Sequence, residues 1–188
     1  YEDWFWKKNR IDLIQDHVTQ IETENKLLQL KSLDPIPYDK LIIATGSKPT
    51  FFQWPGQELK GVQGLYHKGD LELLEANAPN AQVCKRAIVV GGGLIGIELA
   101  EMLHSRHIPV TFLVREQNFW EGVLPTKNAQ LLNKHILSQG IDLRLNTELK
   151  EVFGESNGRV KSIITNHNEQ IDCDLVGIAT GVQPNIDF

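Results

Sequence analysis

Three glycines near the middle of the chain have the spacing of a phosphate-binding loop. Gly91, Gly93 and Gly96 fit G-x-G-x-x-G within AIVVGGGLIGIELA at 87–100, between an apolar strand-like run and a segment of helical periodicity. The first glycine permits a tight turn, the second lets backbone approach a pyrophosphate, and the third lets helix pack on strand. Free N–H groups and the helix dipole favour the phosphates, so a purely structural turn is the weaker interpretation. The predicted loop residues are Gly91, Gly92, Gly93, Leu94, Ile95 and Gly96.

The residues after the next predicted strand bear on which nucleotide binds. An acidic residue about 20 positions beyond the loop bonds a ribose 2′-hydroxyl, whereas an arginine there accepts a 2′-phosphate. This chain has both, because Arg115 and Glu116 follow PVTFLV at 109–114. Since side chains alternate in direction along a strand, we expect one of the two to face the ribose. Both are candidates for the coenzyme site, and the sequence does not separate NAD from NADP.

A strand-ending phrase occurs twice in the chain. DKLIIATGSKP at 39–49 returns as DLVGIATGVQP at 174–184, an interval of 135 residues from Asp39 to Asp174. The segments 11–49 and 141–184 also share the order of their strand-like runs. Two copies of one structural half-unit explain this shared order better than chance does.

Each copy of the phrase predicts a buried strand followed by a sharp turn. Glycine permits backbone angles at the turn that other residues resist, so a purely structural role is one interpretation of Gly46 and Gly181. In the other, each turn lies where a dinucleotide crosses the strand ends. The second interpretation is favoured for Gly181, which has its own glycine loop, and is weaker for Gly46. The candidate residues of the turns are Thr45, Gly46, Thr180 and Gly181.

Strand-like and helical patterns alternate around the glycine loop. Helices are predicted at 69–78, 95–106 and 126–139. Strands are predicted at 11–15, 17–23, 26–32, 38–46, 86–90, 109–114, 141–146, 147–155, 159–167, 169–174 and 175–181, with a loop at 47–65. This order predicts an α/β fold, a doubly wound Rossmann-like parallel sheet with an antiparallel β-meander.

Composition excludes several classes of function. The net charge of −5 and the absence of a basic cluster argue against nucleic-acid binding, and no apolar stretch is long enough to predict a membrane span. Cys84 and Cys173 match no metal or redox motif, so we expect ordinary thiols in a reducing, cytoplasmic setting and no metal site. The chain begins at Tyr1 and its one methionine is Met102, which favours a piece cut from a longer protein.

The motifs in combination resemble the pyridine nucleotide-disulfide oxidoreductase family of flavoproteins. The resemblance rests on VVGGGLIGIELAEML, VTFLVRE, YDKLIIATGSKP and DLVGIATGVQPN, and covers nearly the whole chain. It implies an FAD/NAD(P)-binding fold in which an NAD(P)H domain is inserted into an FAD domain. It also implies hydride transfer from NAD(P)H to FAD and onward to a second acceptor. Glu98 matches the acidic residue that this family carries near the nicotinamide.

On the family pattern the chain divides into three parts. The expected parts are a partial FAD-binding segment at 1–64, an NAD(P)H-binding domain at 65–182 and the start of a return to the FAD domain at 183–188. The expected partners are a nicotinamide dinucleotide, FAD and the remaining domains of the longer protein, with homodimerisation of that protein as a further expectation. No catalytic residue is assigned from the sequence.

The chain also departs from the family pattern. Val114 stands where NADH-using members often carry Glu, while Arg115 resembles the first arginine of NADPH-using members. Their second arginine is missing, and Glu121 lies near its place. No CxxC lies in 65–182, which argues against the small thioredoxin reductases.

The FAD fingerprint itself is absent from these residues. We therefore expect the chain alone to bind NAD(P)H weakly and to catalyse nothing. A non-catalytic nucleotide-sensing or interaction module on the same fold is the alternative, because fold alone does not decide function. An ordinary NAD(P)-dependent dehydrogenase is a weaker alternative, since it explains neither the duplicated phrase nor the lack of a convincing catalytic base.

Overall fold

The computed structural model describes residues 1–186, which form four helices and thirteen strands. In chain order these are α1 (Asp3–Lys8), β1 (Val18–Glu22), β2 (Leu27–Leu30), β3 (Ile36–Pro37), β4 (Ser47–Pro49), β5 (Val62–Gly64), α2 (Lys68–Asn77), β6 (Ala87–Val90), α3 (Leu94–Ser105), β7 (Val110–Leu113), α4 (Thr126–Ser138), β8 (Asp142–Arg144), β9 (Leu149–Gly154), β10 (Val160–Thr165), β11 (Gln170–Asp172), β12 (Leu175–Ile178) and β13 (Val182–Pro184). They divide into a central unit, Ser47–Gln183, and a terminal unit, Tyr1–Gly46 with the segment after Gln183.

A five-stranded parallel sheet forms the middle of the central unit. Its order is β5-β12-β6-β7-β8, and every neighbouring pair is parallel. The strands β6, β7 and β12 are buried along their whole length, as expected of apolar runs covered on both faces. Strand–helix–strand connections carry the chain from β6 through α3 to β7 and from β7 through α4 to β8.

The two faces of the parallel sheet are covered by different structures. Leu74 of α2, Leu99 and Leu103 of α3, and Ile136 of α4 pack in one core cluster with the sheet. On the other face, Ile88 and its neighbours pack against the antiparallel meander β9-β10-β11. The predicted combination of parallel sheet and meander is therefore confirmed, with the finding that the meander replaces helices on the second face.

The terminal unit contains a smaller antiparallel meander, β1-β2-β3. The short helix α1 precedes it and brings four aromatic rings together, with the rings of Tyr1 and Phe5 stacked at 4.1 Å between centroids. Among residues 1–186 no helix combines the length and the apolar composition that crossing a bilayer requires.

Three local predictions were wrong. The segments 11–15 and 38–46 form no strand. The predicted loop at 47–65 contains β4 and β5, of which β5 is the edge strand of the parallel sheet. The compact units divide at Gly46 and Gln183, and the expected domain boundary between residues 64 and 65 stays a prediction.

Candidate functional site

The three glycines of the loop meet different surroundings. Gly91 has φ +114°, and a Cβ there would overlap the backbone carbonyl of Ala179, the residue after β12. A Cβ on Gly96 would overlap the carbonyl of Gly91, so this position holds α3 against the end of β6. A Cβ on Gly93 would meet nothing within 4 Å. The fold therefore requires glycine at the first and third positions, whereas the second glycine faces open space that a ligand could fill.

The open space lies at the start of α3. Gly93 is the N-cap residue, and no side chain caps the helix. The first N–H groups of a helix have no acceptor within it, so those of Leu94 and Ile95, which are not buried, are available to a ligand. With the positive end of the helix dipole they form a surface suited to a phosphate group.

The loop forms the floor of a cleft of about 990 Å³ in the central unit. It lies at the carboxyl ends of the parallel strands, where open α/β sheets bind ligands. The lining residues are Phe52, Trp54, Val90, Gly91, Gly92, Gly93, Leu94, Ile95, Arg115, Glu116, Trp120, Glu121, Gly122, Val123, Thr147, Glu148, Leu149, Ala179, Thr180 and Gly181.

Most residues predicted from the motifs lie along this cleft. Those that line it are Gly91, Gly92, Gly93, Leu94, Ile95, Arg115, Glu116, Thr180 and Gly181. Gly96 is buried beneath the loop, and the exposed side chain of Glu98 is not among the lining residues. Thr45 and Gly46 belong to the terminal unit. The repeated phrase thus contributes its second copy to the cleft.

Arg115 and Glu116 lie beside each other at the rim. The strand β7 ends at Leu113, so the alternation expected of a strand does not reach them, and both line the cleft. The Arg115 guanidinium donates two hydrogen bonds to Oε1 of Glu116, from Nε at 3.2 Å and from Nη2 at 3.0 Å. We expected only one of the two side chains to face the ligand. Instead, both line the cleft, and they are hydrogen-bonded to each other.

One wall of the cleft comes from the segment that follows β4. The rings of Phe52 and Trp54 meet edge to face at 5.3 Å between centroids. The Thr180 hydroxyl donates to the Thr50 carbonyl at 2.9 Å, and the Thr50 N–H donates to the Gly181 carbonyl at 3.0 Å, so this wall is tied to the turn after β12. Sequence reasoning missed this wall, because its aromatic residues lie in a segment rich in Gly and Pro that predicts only a loop.

The opposite wall is a loop anchored to α4 by buried amides. Asn133 accepts from the Phe119 N–H at 2.9 Å and donates to the Asn118 side chain at 2.9 Å. Trp120 stacks on Phe119 with 5.4 Å between ring centroids. This anchoring places Glu121 at the cleft.

Several other groups lie away from the cleft. Thr45 donates through its hydroxyl to the Asn185 carbonyl in the terminal unit, where it also lines a second hollow of about 610 Å³. Cys84 and Cys173 are buried, and burial raises their thiol pKa values to about 11 and about 12. Both are therefore protonated and poorly nucleophilic at neutral pH. Within residues 1–186, no group of three or more His, Cys, Asp and Glu could hold a metal ion.

Comparison with known proteins finds similar chains among reductases. The chain is 33% identical over 186 residues to nitrite reductase [NAD(P)H] of Bacillus subtilis, covering 97% of this chain and 22% of that protein. It is 30% identical over 183 residues to the benzene 1,2-dioxygenase system ferredoxin–NAD(+) reductase subunit of Pseudomonas putida, covering 97% and 43%. The ferredoxin reductase for the CYP199A2 system of Rhodopseudomonas palustris has a similar structure, with a TM-score of 0.89 at 25% identity.

The chain spans less than half of each of these proteins, and it covers 45% of the Rhodopseudomonas reductase while 98% of its own length is matched. The sequence pattern that defines the pyridine nucleotide-disulphide oxidoreductases matches residues 6–188. With the glycine loop, the parallel sheet and the meander in place, this chain belongs to the pyridine nucleotide-disulphide oxidoreductase family.

Proposed function

We propose that the central unit binds NADH or NADPH and presents it for hydride transfer in an FAD-dependent oxidoreductase. The observation that carries the proposal is the position of the glycine loop, whose open second glycine and free helix N–H groups face a cleft large enough for a dinucleotide. Backbone N–H groups at this loop would hold the pyrophosphate. The residues Arg115 and Glu116 at the rim would contact the adenine-side ribose.

The remaining walls would hold the rings of the coenzyme. Phe52, Trp54 and Trp120 offer apolar and aromatic surface to planar groups, which stack on such side chains. Thr180 and Gly181 lie at the end of β12, and the Thr180 hydroxyl is already engaged with the Thr50 carbonyl. These residues orient the coenzyme and exclude water rather than exchange protons with it.

The assignment of domains follows the family. We assign 1–64 and 183–188 to parts of an FAD domain and 65–182 to the NAD(P)H domain, and β5 at Val62–Gly64, from the end of the first part, adds an edge strand to the sheet of the NAD(P)H domain. FAD, when bound in the longer protein, supplies the two-electron acceptor for the hydride. The residues of the terminal unit fit this cofactor only in part: the turn at Thr45 and Gly46 is present, but residues 1–46 carry no glycine loop. We therefore expect the 188-residue chain alone not to retain flavin and to be inactive.

The finer features of the proposal rest on the resemblance to the family alone. These are onward transfer of electrons to a second acceptor, a cytoplasmic location and a homodimer of the longer protein. The alternative, a nucleotide-sensing module, uses the same cleft. A second G-x-G-x-x-G loop upstream in the longer protein would favour the flavoenzyme over that alternative.

Substitution of Gly93 tests the proposed site without disturbing the fold. Its φ of −92° and ψ of −176° suit any residue, and a Cβ has free space within the protein. We expect Gly93→Ala to keep the unfolding midpoint of the native chain and to weaken NADH and NADPH binding about tenfold or more, because the added methyl group fills the space of the pyrophosphate. Isothermal titration calorimetry measures the affinity.

Gly122→Ala is the matched control for that experiment. Gly122 also lines the cleft and also has free space around an added Cβ, but it lies outside the glycine loop. We expect this variant to bind both coenzymes about as the native chain does. Equal affinities of Gly93→Ala and the native chain, or no binding of either coenzyme by the native chain, would contradict the proposed function.

A further inference from the structure

Arg115 is the single cationic side chain among the cleft-lining residues of the described chain. Its guanidinium donates two hydrogen bonds to one carboxylate oxygen of the neighbouring Glu116, at 3.2 Å and 3.0 Å. An arginine at this place in the fold can accept a coenzyme 2′-phosphate, but only with donors that are free to point at the phosphate oxygens. The geometry directs two of the five guanidinium N–H donors to Glu116, and the carboxylate that they hold would repel a 2′-phosphate.

The backbone beneath the pair is held firmly. Val114 is fully buried, and its carbonyl accepts from the Thr147 N–H at 3.0 Å. The Glu116 carbonyl accepts from the Asn146 N–H at 3.0 Å, so the two residues between these bonds have a defined path. This path sets the two side chains next to each other, and both reach solvent at 70% and 41% exposure.

The rest of the cleft adds negative charge. Glu121 and Glu148 line it together with Glu116, which makes three carboxylates against one guanidinium. Glu148 is positioned by its backbone N–H, which donates to the Asn166 side chain at 3.0 Å, and Glu121 lies on the loop anchored by Asn133. A 2′-phosphate would bring up to about two further negative charges into this surface, as any phosphate monoester does near neutral pH. A ribose 2′-hydroxyl brings none and can donate to a carboxylate.

We infer that Glu116 makes this cleft selective for NADH by occupying Arg115 and by offering its carboxylate to the ribose 2′-hydroxyl. The inference rests on the proposed function, since it concerns the same coenzyme site. Arg115 alone would favour NADPH, and Glu116 reverses that preference. Glu116 is thus the residue that determines coenzyme choice in this chain.

Titration of the coenzymes against matched variants tests the inference. The native chain is expected to bind NADH about tenfold or more tightly than NADPH. In Glu116→Gln the guanidinium is released and one negative charge is lost, so we expect NADPH affinity to rise about tenfold while NADH affinity changes less. Adenosine 2′,5′-bisphosphate and 5′-AMP, titrated in parallel, report the 2′-phosphate contribution without the nicotinamide.

Two further variants separate release of Arg115 from a general change of charge. Glu121→Gln removes a carboxylate from the same cleft that makes no hydrogen bond to Arg115, and we expect at most about a threefold gain in NADPH affinity. In the double variant Arg115→Gln with Glu116→Gln, the gain should disappear.

The outcomes distinguish this inference from the proposed function. If Glu116→Gln gains no more NADPH affinity than Glu121→Gln, or if the native chain prefers NADPH, Glu116 is not the selecting residue although the site stands. If the native chain binds neither coenzyme, the proposed function itself is wrong, and the inference is wrong with it.

Discussion

The two copies of the repeated phrase have the same local sequence pattern and different structures. Leu175–Ile178 form β12, which lies between β5 and β6 in the parallel sheet and is buried throughout. The corresponding residues 40–43, at an interval of 135, form no strand, and Ile42 and Ile43 are 90% and 56% exposed. A parallel strand obtains its hydrogen bonds from neighbours that are distant in sequence. The phrase alone therefore does not make a strand.

Other parts of the repeat are alike in both copies. Each copy has a three-stranded antiparallel meander, β1-β2-β3 in the first and β9-β10-β11 in the second. Each phrase has a glycine with positive φ after its apolar run, Gly46 at +71° and Gly181 at +106°. The short strands that follow, β4 and β13, lie at the same interval of 135 residues and pair with each other. Hairpins and turns are specified locally, so they form in both copies.

The largest expected difference between the copies is at their equivalent isoleucines. Ile178 is 2% exposed and packs in the core beneath the meander, so Ile178→Ala should lower the free energy of unfolding by about 2–5 kcal/mol. Ile43→Ala, at the matched position, should change it by less than about 0.5 kcal/mol. Urea denaturation of the two variants measures both values. Similar losses would mean that 40–43 is packed as tightly as β12.

Much of the central unit could be predicted from its sequence because its patterns are locally complete. The apolar runs at 86–90 and 109–114, the glycine loop between them and the helical periodicity of 95–106 all matched observed elements to within a few residues. The segment 38–46 has an equally strong strand pattern but no neighbouring strands in the described chain. Hydrophobic periodicity indicates which residues could form a strand. Whether the strand forms depends on neighbouring strands that lie far away in the sequence.

The same distinction explains which site residues were missed. The loop and the rim pair at Arg115 and Glu116 lie within a motif of fixed spacing, and the motif pointed to them. Phe52 and Trp54 reach the cleft only because the segment after β4 is tied to the turn at Thr180. Two hydrogen bonds between residues about 130 positions apart leave no signal in a single sequence.

Replacing the turn glycines compares the cost of the two turns directly. At φ +106°, Gly181 lies beyond the left-handed region that other residues visit, and an added Cβ would meet nothing within 4 Å. The cost of Gly181→Ala is therefore backbone strain, expected at about 2 kcal/mol of unfolding free energy. Gly46 at +71° lies nearer that region, so Gly46→Ala should cost about 1 kcal/mol. Urea denaturation checks the order, and a larger loss at Gly46 would contradict it.

The threonines of the two turns differ in what they hold. Thr180 is half-buried and donates to the Thr50 carbonyl, so Thr180→Val should cost about 1 kcal/mol and weaken the attachment of the wall that carries Phe52. Thr45 is exposed and donates to the Asn185 carbonyl, where water can replace it, so Thr45→Val should cost less than about 0.5 kcal/mol. Denaturation measures both, and tryptophan fluorescence reports the wall once Trp4, Trp6 and Trp120 are replaced by phenylalanine, which leaves Trp54 as the emitting residue. An unchanged Trp54 signal in Thr180→Val would show that other contacts hold the wall.

The meanders of the two copies are closed at the same end by different chemical groups. In the first copy the Asp16 carboxylate accepts from the backbone N–H groups of Ser32 and Leu33, each at 2.8 Å. In the second copy the neutral side chain of Asn166 accepts from the Glu148 N–H at 3.0 Å. A carboxylate can be protonated, whereas an amide cannot be at ordinary pH. Only the first closure should depend on acid.

Acidification should therefore loosen the first meander alone, which is the smallest of the expected effects. The neighbouring N–H groups, that of His17 first and then those of Ser32 and Leu33, hold the pKa of Asp16 below its usual value of 3.8. Because the folded pKa is depressed, the stabilisation is complete above the usual value and is lost as pH falls through the lowered one. Amide hydrogen exchange followed from about pH 5 down to about pH 2 should show Ser32 losing protection, relative to the intrinsic rate at each pH, while Glu148 keeps it. In Asp16→Asn the Ser32 protection should be low at every pH, and a parallel loss at Glu148 would mean that the acid acts on the whole chain.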